Sequence, residues 1–205
     1  MKVLEEWSPR TRIGKMVSEG VIKDIDELLS LGVPIKEVEI IDVLLPNLEE
    51  ELVCVNTVQK QTDAGEVSSL RVVVAVGDRN GHLGVAKGKG KTFRVAIRNA
   101  IKQAKLNIVK VARGCGSWQC GCGRDHSIPY KTSGSSGSVR VTIYPAPRGT
   151  GLVANETGRI LLSLAGIEDV WVFSKGNTGN RMNYAYAVYK ALANLLTKPI
   201  YTRGG

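Results

Sequence analysis

Hydrophobic and polar positions change their period several times along the chain, and the sharpest change falls between Arg71 and Arg113. Val72-Val73-Val74-Ala75-Val76 is an unbroken apolar run, which reads as a buried strand. Gly77-Asp78-Arg79-Asn80-Gly81 follows as a turn, with Asn80-Gly81 suited to positive φ in a tight hairpin. Leu83-Gly84-Val85-Ala86 is a second, shorter strand. Lys87-Gly88-Lys89-Gly90-Lys91 reads as a basic loop, and Lys91 or Thr92 opens a helix that the pattern carries to Val111. Phe93, Ile97, Ala100, Ala104, Ile108 and Val111 recur there at three- and four-residue steps, so they share one face and are expected to pack on the hairpin. Upstream, Glu51 to Lys60 alternates as a first strand, with Cys54 in the core as a small hydrophobe. The polar link Gln59 to Ser69 is too long for a tight hairpin and is expected to project as a loop.

The flanks read differently. The first twenty residues are polar and mixed, predicting a loosely packed arm with one helical turn. Asp24 caps a short helix with Ile25, Leu28 and Leu29 inward, stopped by Gly32. Pro34 opens another, with Val38, Ile41 and Leu45 inward and Pro46 at its end. From Arg113 to Gly137 glycine, serine and cysteine replace the aliphatics, as in a linker. Val139 to Tyr144 then alternates as a half-buried strand, and Pro145 to Gly151 is a constrained loop. Ile160, Leu161, Leu164 and Ala165 mark a helix ended by Gly166, and Val170 to Phe173 a strand. Ser174 to Arg181 is a polar, basic loop. Ala185, Val188, Leu192 and Leu195 line a last helix, with Pro199 beyond it. The organisation expected is a helical extension over 1–50, an α+β unit over 51–112, a Cys/Gly-rich linker over 113–137 and an α/β unit over 138–200. The class is α+β.

Charge sharpens this picture. The 205 residues carry a net charge of +9, with a pI near 9.5. That balance favours nucleic acid or an anionic membrane over a small acidic substrate. No apolar run approaches the ~20 residues needed to span a bilayer. Met1 to Glu6 lacks a signal peptide's apolar region, so a cytosolic protein with reduced cysteines is expected. Residues 24–51 hold nine acids against one base, Lys36, whereas Gly77 to Arg113 holds ten bases against one acid, Asp78. Lys91, Arg94, Arg98, Lys102 and Lys105 form one stripe of the central helix. Uncompensated like charges suit a surface that phosphates neutralise. The acidic segment cannot line that surface. It faces solvent, a basic protein or the chain's own positive side.

Three motifs bear on chemistry. Gly84 to Thr92 suggests a phosphate-binding loop, but five residues separate Gly84 from Gly90 where a P-loop needs four. Its glycines still allow backbone N–H groups near a phosphate at a helix start. Gly149-Thr150-Gly151-Leu152-Val153-Ala154 fits a dinucleotide fingerprint, with Asp169 twenty residues on. Two prolines and an arginine separate it from the preceding strand, and too little chain remains for a full dinucleotide fold. Cys115, Cys120, Cys122 and His126 lie within twelve residues that have almost no aliphatic content. They suit one structural zinc ion, and the alternative is free thiols in a mobile loop. Catalytic zinc lacks a general base other than Asp125, and a Cys–His nucleophile lacks an orienting partner.

Arg71 to Gly84 running into the Gly-Lys segment, Gly137-Ser138-Val139-Arg140 with Pro145 to Gly151, and Lys175-Gly176-Asn177-Thr178 together resemble small-subunit ribosomal protein five, the universal S-five family. The acidic extension and cysteine insert look like its archaeal and eukaryotic branch. The resemblance implies an N-terminal domain similar to a double-stranded-RNA-binding fold, and a C-terminal domain with a left-handed βαβ crossover. It implies binding to small-subunit rRNA, contact with ribosomal proteins S-four and S-eight, and a nearby mRNA path. It also implies a part in subunit assembly and translational accuracy, a cytoplasmic location and no enzyme activity. Zinc is not implied by it. Candidate RNA contacts in the first unit are Lys60, Arg79, Lys87, Lys89, Lys91, Arg94, Arg98, Lys102, Lys105 and Arg113. In the second they are Arg140, Arg148, Lys175, Asn177 and Arg181. A free-standing RNA-binding regulator is the alternative reading.

Overall fold

The unbroken run Val72 to Val76 lies in a strand that is covered on both faces, and the rest of the chain is built around it. The computed structural model describes residues 7–197; the expectations for Met1 to Glu6 and for Pro199 fall outside those residues. Among the described residues three short helices come first: α1 (Arg12–Ser18), α2 (Ile25–Ser30) and α3 (Val38–Leu44). Strands β1 (Glu49–Thr62), β2 (Gly65–Gly77) and β3 (His82–Gly90), helix α4 (Phe93–Leu106) and strand β4 (Ile108–Lys110) follow, in a sheet of order β1-β2-β3-β4. The second sheet contains β5 (Thr132–Ser136), β6 (Val139–Pro145), β7 (Leu152–Val153) and β8 (Val170–Lys175), in the order β5-β6-β8-β7. Helix α5 (Glu156–Leu164) joins β7 to its parallel neighbour β8, and α6 (Arg181–Thr197) closes the fold.

Successive strand residues face opposite sides. Val72, Val74 and Val76 therefore pack with Ala86 on Ala96, Ala100 and Ala104 of α4. Val73 and Ala75 turn the other way, into a cluster with Leu161, Leu164, Tyr184, Val188 and Leu192 of the C-terminal half. The two halves thus share one core. Backbone bonds add to the join: Arg79 N–H donates to the Leu164 carbonyl (2.9 Å) and Gly81 N–H to that of Ala165 (3.2 Å).

Helix α4 corrects two expectations. Its buried face is Ala96, Ala100 and Ala104, whereas Phe93 is 46% exposed. It ends at Leu106, and the residues beyond it enter β4 as a partner of β3. The reason for the alanine face lies in β3, which includes the segment expected to be a basic loop. Gly88 pairs with Val72 and Lys89 with Arg71. A Cβ on Gly88 would lie 2.2 Å from the Ala96 carbonyl oxygen and 2.4 Å from the Ala100 nitrogen. The alternation is therefore glycine toward the helix backbone and lysine away from it. The same device recurs in the second sheet, where a Cβ on Gly134 would lie 2.3 Å from the Ala187 carbonyl oxygen of α6.

The link Gln59 to Ser69 is not a loop either. Strands β1 and β2 stay in register out to Thr62 and Gly65, so only Asp63 and Ala64 form the turn. The ribbon does project, with both strands exposed toward its tip. A bulge between Leu52 and Cys54 breaks the expected alternation, burying Val53 and leaving Cys54 half-buried against the shared core. At the β2–β3 turn, positive φ falls on Arg79 and Gly81 rather than on Asn80. Asp78 Oδ1 holds this turn by accepting from the N–H groups of Asn80 (2.7 Å) and His82 (3.1 Å). The segment 113–137 includes β5, and Ile128 is fully buried within the shared core.

The N-terminal extension is packed, not loose. Val17, Ile22, Ile25, Leu28, Ile35, Ile40 and Ile41 form a second core that meets Ile108. Glu37 ties its start, accepting from Trp7 Nε1 (3.1 Å) and from the N–H groups of Arg10 (3.0 Å) and Thr11 (2.6 Å). The acids face the chain's own bases. Asp42 meets Lys105 (2.7 Å), and Asp26 meets Lys110 (2.6 Å) and His82 Nε2 (3.1 Å). His82 Nδ1 meets Asp78 at 2.6 Å. Burial works to lower the His82 pKa, but the bonds and charges of Asp78 and Asp26 outweigh it and raise the value above 6.5. Burial likewise works to raise the two carboxylates. Their bonds to His82, joined at Asp26 by Lys110, hold both below 3.8.

Two outcomes are expected. Gly88→Ala forces α4 off the sheet and costs about 2 kcal/mol or more, read as a lower melting temperature by circular dichroism, while Lys89→Ala melts like the parent. The His82 clamp is linked to pH with opposite signs at its two ends. Its histidine contribution is full below pH 6.5 and is lost as pH rises through the raised value. Its carboxylate contribution is full above pH 3.8 and is lost as pH falls through the lowered values. Amide-exchange protection in α2, corrected for intrinsic rate, should decline on the alkaline side of pH 6.5 in the parent and stay flat in His82→Asn.

Candidate nucleic-acid interface and metal centre

Helix α4 carries the densest exposed charge. Thr92 stands at its N-cap, and the alanine face fixes its rotation on the sheet. Arg94, Arg98 and Lys102 are consequently exposed on one side and form no salt bridge among the described residues. Lys105 does not continue the row. It is half-buried between Asp42 (2.7 Å) and Glu50 (3.4 Å), and burial is outweighed by those acids, which raise its pKa. Helix α3 flanks the stripe, so Glu39, Asp42, Arg94 and Lys102 line one cleft of about 450 Å³. Lys87 and Lys89 point away from α4 because Gly88 and Gly90 face it, so they lie on the opposite side of the sheet from the stripe. Lys91 is exposed at the helix start, and Lys60 is exposed on the β1 arm of the ribbon.

Two further candidates are engaged internally. Arg79 pairs with Glu49 at 2.7 Å, and Arg113 Nη2 donates to Asn80 Oδ1 at 2.6 Å.

In the C-terminal half, β6 and β8 bring Arg140 directly opposite Lys175. Like charges across a strand pair repel unless an anion neutralises them. Arg140 also lines a groove of about 600 Å³ with Lys131, Lys190, Ser133, Ser135 and Thr142. Lys131 and Lys190 were not singled out in the sequence, because their spacing reveals no shared face until β5 and α6 pack. Arg148 and Asn177 are exposed on separate loops, and exposed Arg181 lies 3.5 Å from Glu156.

The cysteine segment converges on one point. The ligand atoms of Cys115, Cys120, Cys122 and His126 all lie within 4.8 Å of one another. Cys115 Sγ is 3.7 Å from Cys122 Sγ, and Cys120 Sγ is 3.7 Å from His126 Nε2. A tetrahedron with metal–sulfur bonds of ~2.3 Å has sulfur–sulfur edges of about 3.8 Å, so the set has the size of a tetrahedral metal site. His126 is buried, and its Nδ1 meets Asp169 Oδ2 at 2.8 Å. That bond leaves Nε2 turned toward the thiols.

Asp169 is the residue that the dinucleotide fingerprint hid. Its Oδ1 accepts from Gly151 N–H (2.8 Å), and its carbonyl accepts from Ser127 Oγ (2.5 Å). It is buried and committed to the fold, so no acid is left for a ribose. The two thiols that differ most are pushed apart by their surroundings. Burial, then Cys120 and Cys122, drive Cys115 up to about 11. The N–H groups of Arg148 and Cys122 pull Cys120 down to about 6. Cys120, His126 and Asp169 also stand in the order of a nucleophilic triad. Cys115 and Cys122 converge on the same point, however, so Cys120 stands among ligands rather than alone as a nucleophile.

Both halves match known sequences in the order the fold presents them. Residues 48–112 match the family model for ribosomal protein S5, N-terminal domain, and residues 134–199 that for ribosomal protein S5, C-terminal domain. The chain is similar to small ribosomal subunit protein uS5 of Aeropyrum pernix, 54% identical over 93% of this chain and 88% of that one. It is 51% identical to uS5 of Methanothermobacter thermautotrophicus, over 94% and 89%, and 54% identical to that of Thermofilum pendens, over 91% and 93%. With matched halves in sequence order and half the residues shared over nine-tenths of its length, the chain belongs to the ribosomal protein S5 family.

Proposed function

We propose that the protein is a non-enzymatic constituent of the small ribosomal subunit that binds rRNA in the cytoplasm and contributes to subunit assembly and translational accuracy. The observation that carries this reading is the family match over both halves, on a chain whose exposed Arg94, Arg98 and Lys102 form no salt bridge among the described residues. Arg94, Arg98, Lys102 and Lys91 take rRNA phosphates on one side of the first unit. Lys87 and Lys89 serve the other side, and Lys60 the ribbon, which reaches toward the mRNA path. Arg140, Lys175, Arg148 and Asn177 do the same for the C-terminal half. Lys105, Arg79, Arg113 and Arg181 hold their own protein partners and position these surfaces. Ribosomal proteins S-four and S-eight are the protein neighbours in this reading.

The Cys3His set holds one structural zinc ion. Thiolates are the soft ligands zinc favours, the dimensions fit, and Asp169 gives the histidine ligand its outer partner. All four positions are filled by protein, which leaves none for a water nucleophile.

Two measurements test these proposals. Full-length small-subunit rRNA should bind the Arg94→Ala, Arg98→Ala variant with a salt slope smaller by about two, and an unchanged slope would remove α4 from the interface. Anaerobically purified protein should carry one zinc per chain and lose it in Cys120→Ser; zinc content that is negligible, or indifferent to that substitution, would sink the metal site.

A further inference from the structure

We infer that the Cys3His knuckle presents Trp118 as a stacking platform for an unpaired RNA base, an inference that rests on the zinc and rRNA readings above. Trp118 is 89% exposed, the most exposed large hydrophobic side chain among the described residues. The backbone that carries it is nevertheless tied down. Ser117 is buried, its carbonyl accepts from Cys120 N–H at 3.2 Å, and its Oγ accepts from Gln119 N–H at 3.4 Å. Cys115 and Cys120 bracket the indole in sequence and belong to the cluster. Gly116 is packed so closely that a Cβ there would lie 2.1 Å from the Pro129 carbonyl oxygen. A rigid loop therefore holds a large ring in water.

The next most exposed aromatic ring has a ring partner. Phe173, 63% exposed, meets Tyr144 edge-on with centroids 5.4 Å apart. An indole kept in water forfeits the gain from burial unless something covers it in the assembled state. The surroundings favour a nucleotide as that cover. Arg124 is exposed on the knuckle itself, six residues from Trp118, and Arg148 is exposed on the loop whose backbone faces Cys120. A flat π surface on a loop that also exposes Arg124, in a chain of net charge +9, matches a base and its phosphate. Every base has a π face, so the platform needs no particular sequence.

The test uses the full chain loaded with zinc and the full-length small-subunit rRNA of the same organism. Trp118→Ala is expected to weaken binding about tenfold with the salt slope, melting temperature and zinc content unchanged, and Trp118→Phe to recover most of the loss. Ultraviolet irradiation of intact small subunits should leave a nucleotide adduct on the Trp118 peptide. Parental affinity in Trp118→Ala, or a Trp118 peptide crosslinked to another ribosomal protein, overturns the inference. A loss of affinity in Trp118→Ala with no zinc in the parent keeps the platform and discards the metal. Zinc at one per chain with no loss of affinity discards the platform alone.

Discussion

A sheet buried on both faces sets the terms for the whole molecule. On one side of β2, Val72, Val74 and Val76 meet a helix whose contact surface is alanine. Alanine offers little area, so the seal depends on backbone coming close to backbone, and only glycine in β3 allows that distance. On the other side, Val73 and Ala75 enter the core of the C-terminal half. Burying a valine side chain is worth about 1.5–3 kcal/mol, and here those gains are drawn from two directions through one strand. The halves are therefore coupled through a shared core, and their cationic surfaces keep a fixed relation to each other.

That relation is tuned by where the acid goes. The chain is strongly basic, and a basic helix beside a basic sheet would repel itself. The N-terminal extension supplies Asp26 and Asp42 to Lys110, His82 and Lys105 along one border. Arg94, Arg98 and Lys102 keep their charge on the side that the acids do not pair with. The extension thus neutralises what would otherwise destabilise the fold and leaves the remainder for an outside anion.

Most of the elements are legible from period alone, because Val72 to Val76, the alternation in β6 and the spacing of Leu161, Leu164, Val188 and Leu192 follow local rules. What is not legible depends on partners distant in sequence. Lys87-Gly88-Lys89-Gly90 has the composition of a loop, and only the alanines of α4 explain why it is a strand. Ile108 and Val111 sit at helical spacing yet lie beyond the helix, since β3 claims the chain after Asn107. The ribbon of β1 and β2 lacks apolar alternation toward its tip because neither face there is buried, so a polar loop and a solvated hairpin look alike. Lys105 shares its stripe with Arg94, Arg98 and Lys102 in sequence, and only the docking of α3 withdraws it. The cysteine cluster is visible from its residues, but Asp169 is not. It lies 43 residues from His126 and was masked by a fingerprint it does not serve.

Asp169 also explains how a segment so poor in aliphatics keeps a defined shape. Ordering each residue costs on the order of 1–2 kcal/mol of backbone entropy, and the knuckle's glycines and cysteines bury little to offset it. Its base is instead pegged to the C-terminal half. Gly114 and Ser127 exchange backbone bonds of 2.9 Å, Ile128 sits in the shared core, and the His126 carbonyl accepts from the N–H groups of Glu168 and Asp169. His126 thus joins the cluster to a peg that is already fixed. The three thiols supply the remaining ligands from a chain free to turn at Gly121 and Gly123, where an added Cβ would meet nothing. In the proposed holo state the ion has only the short span from Cys115 to Cys122 left to order. That division places the peg of the site toward the core and the ligand-bearing turn, with Trp118, toward solvent.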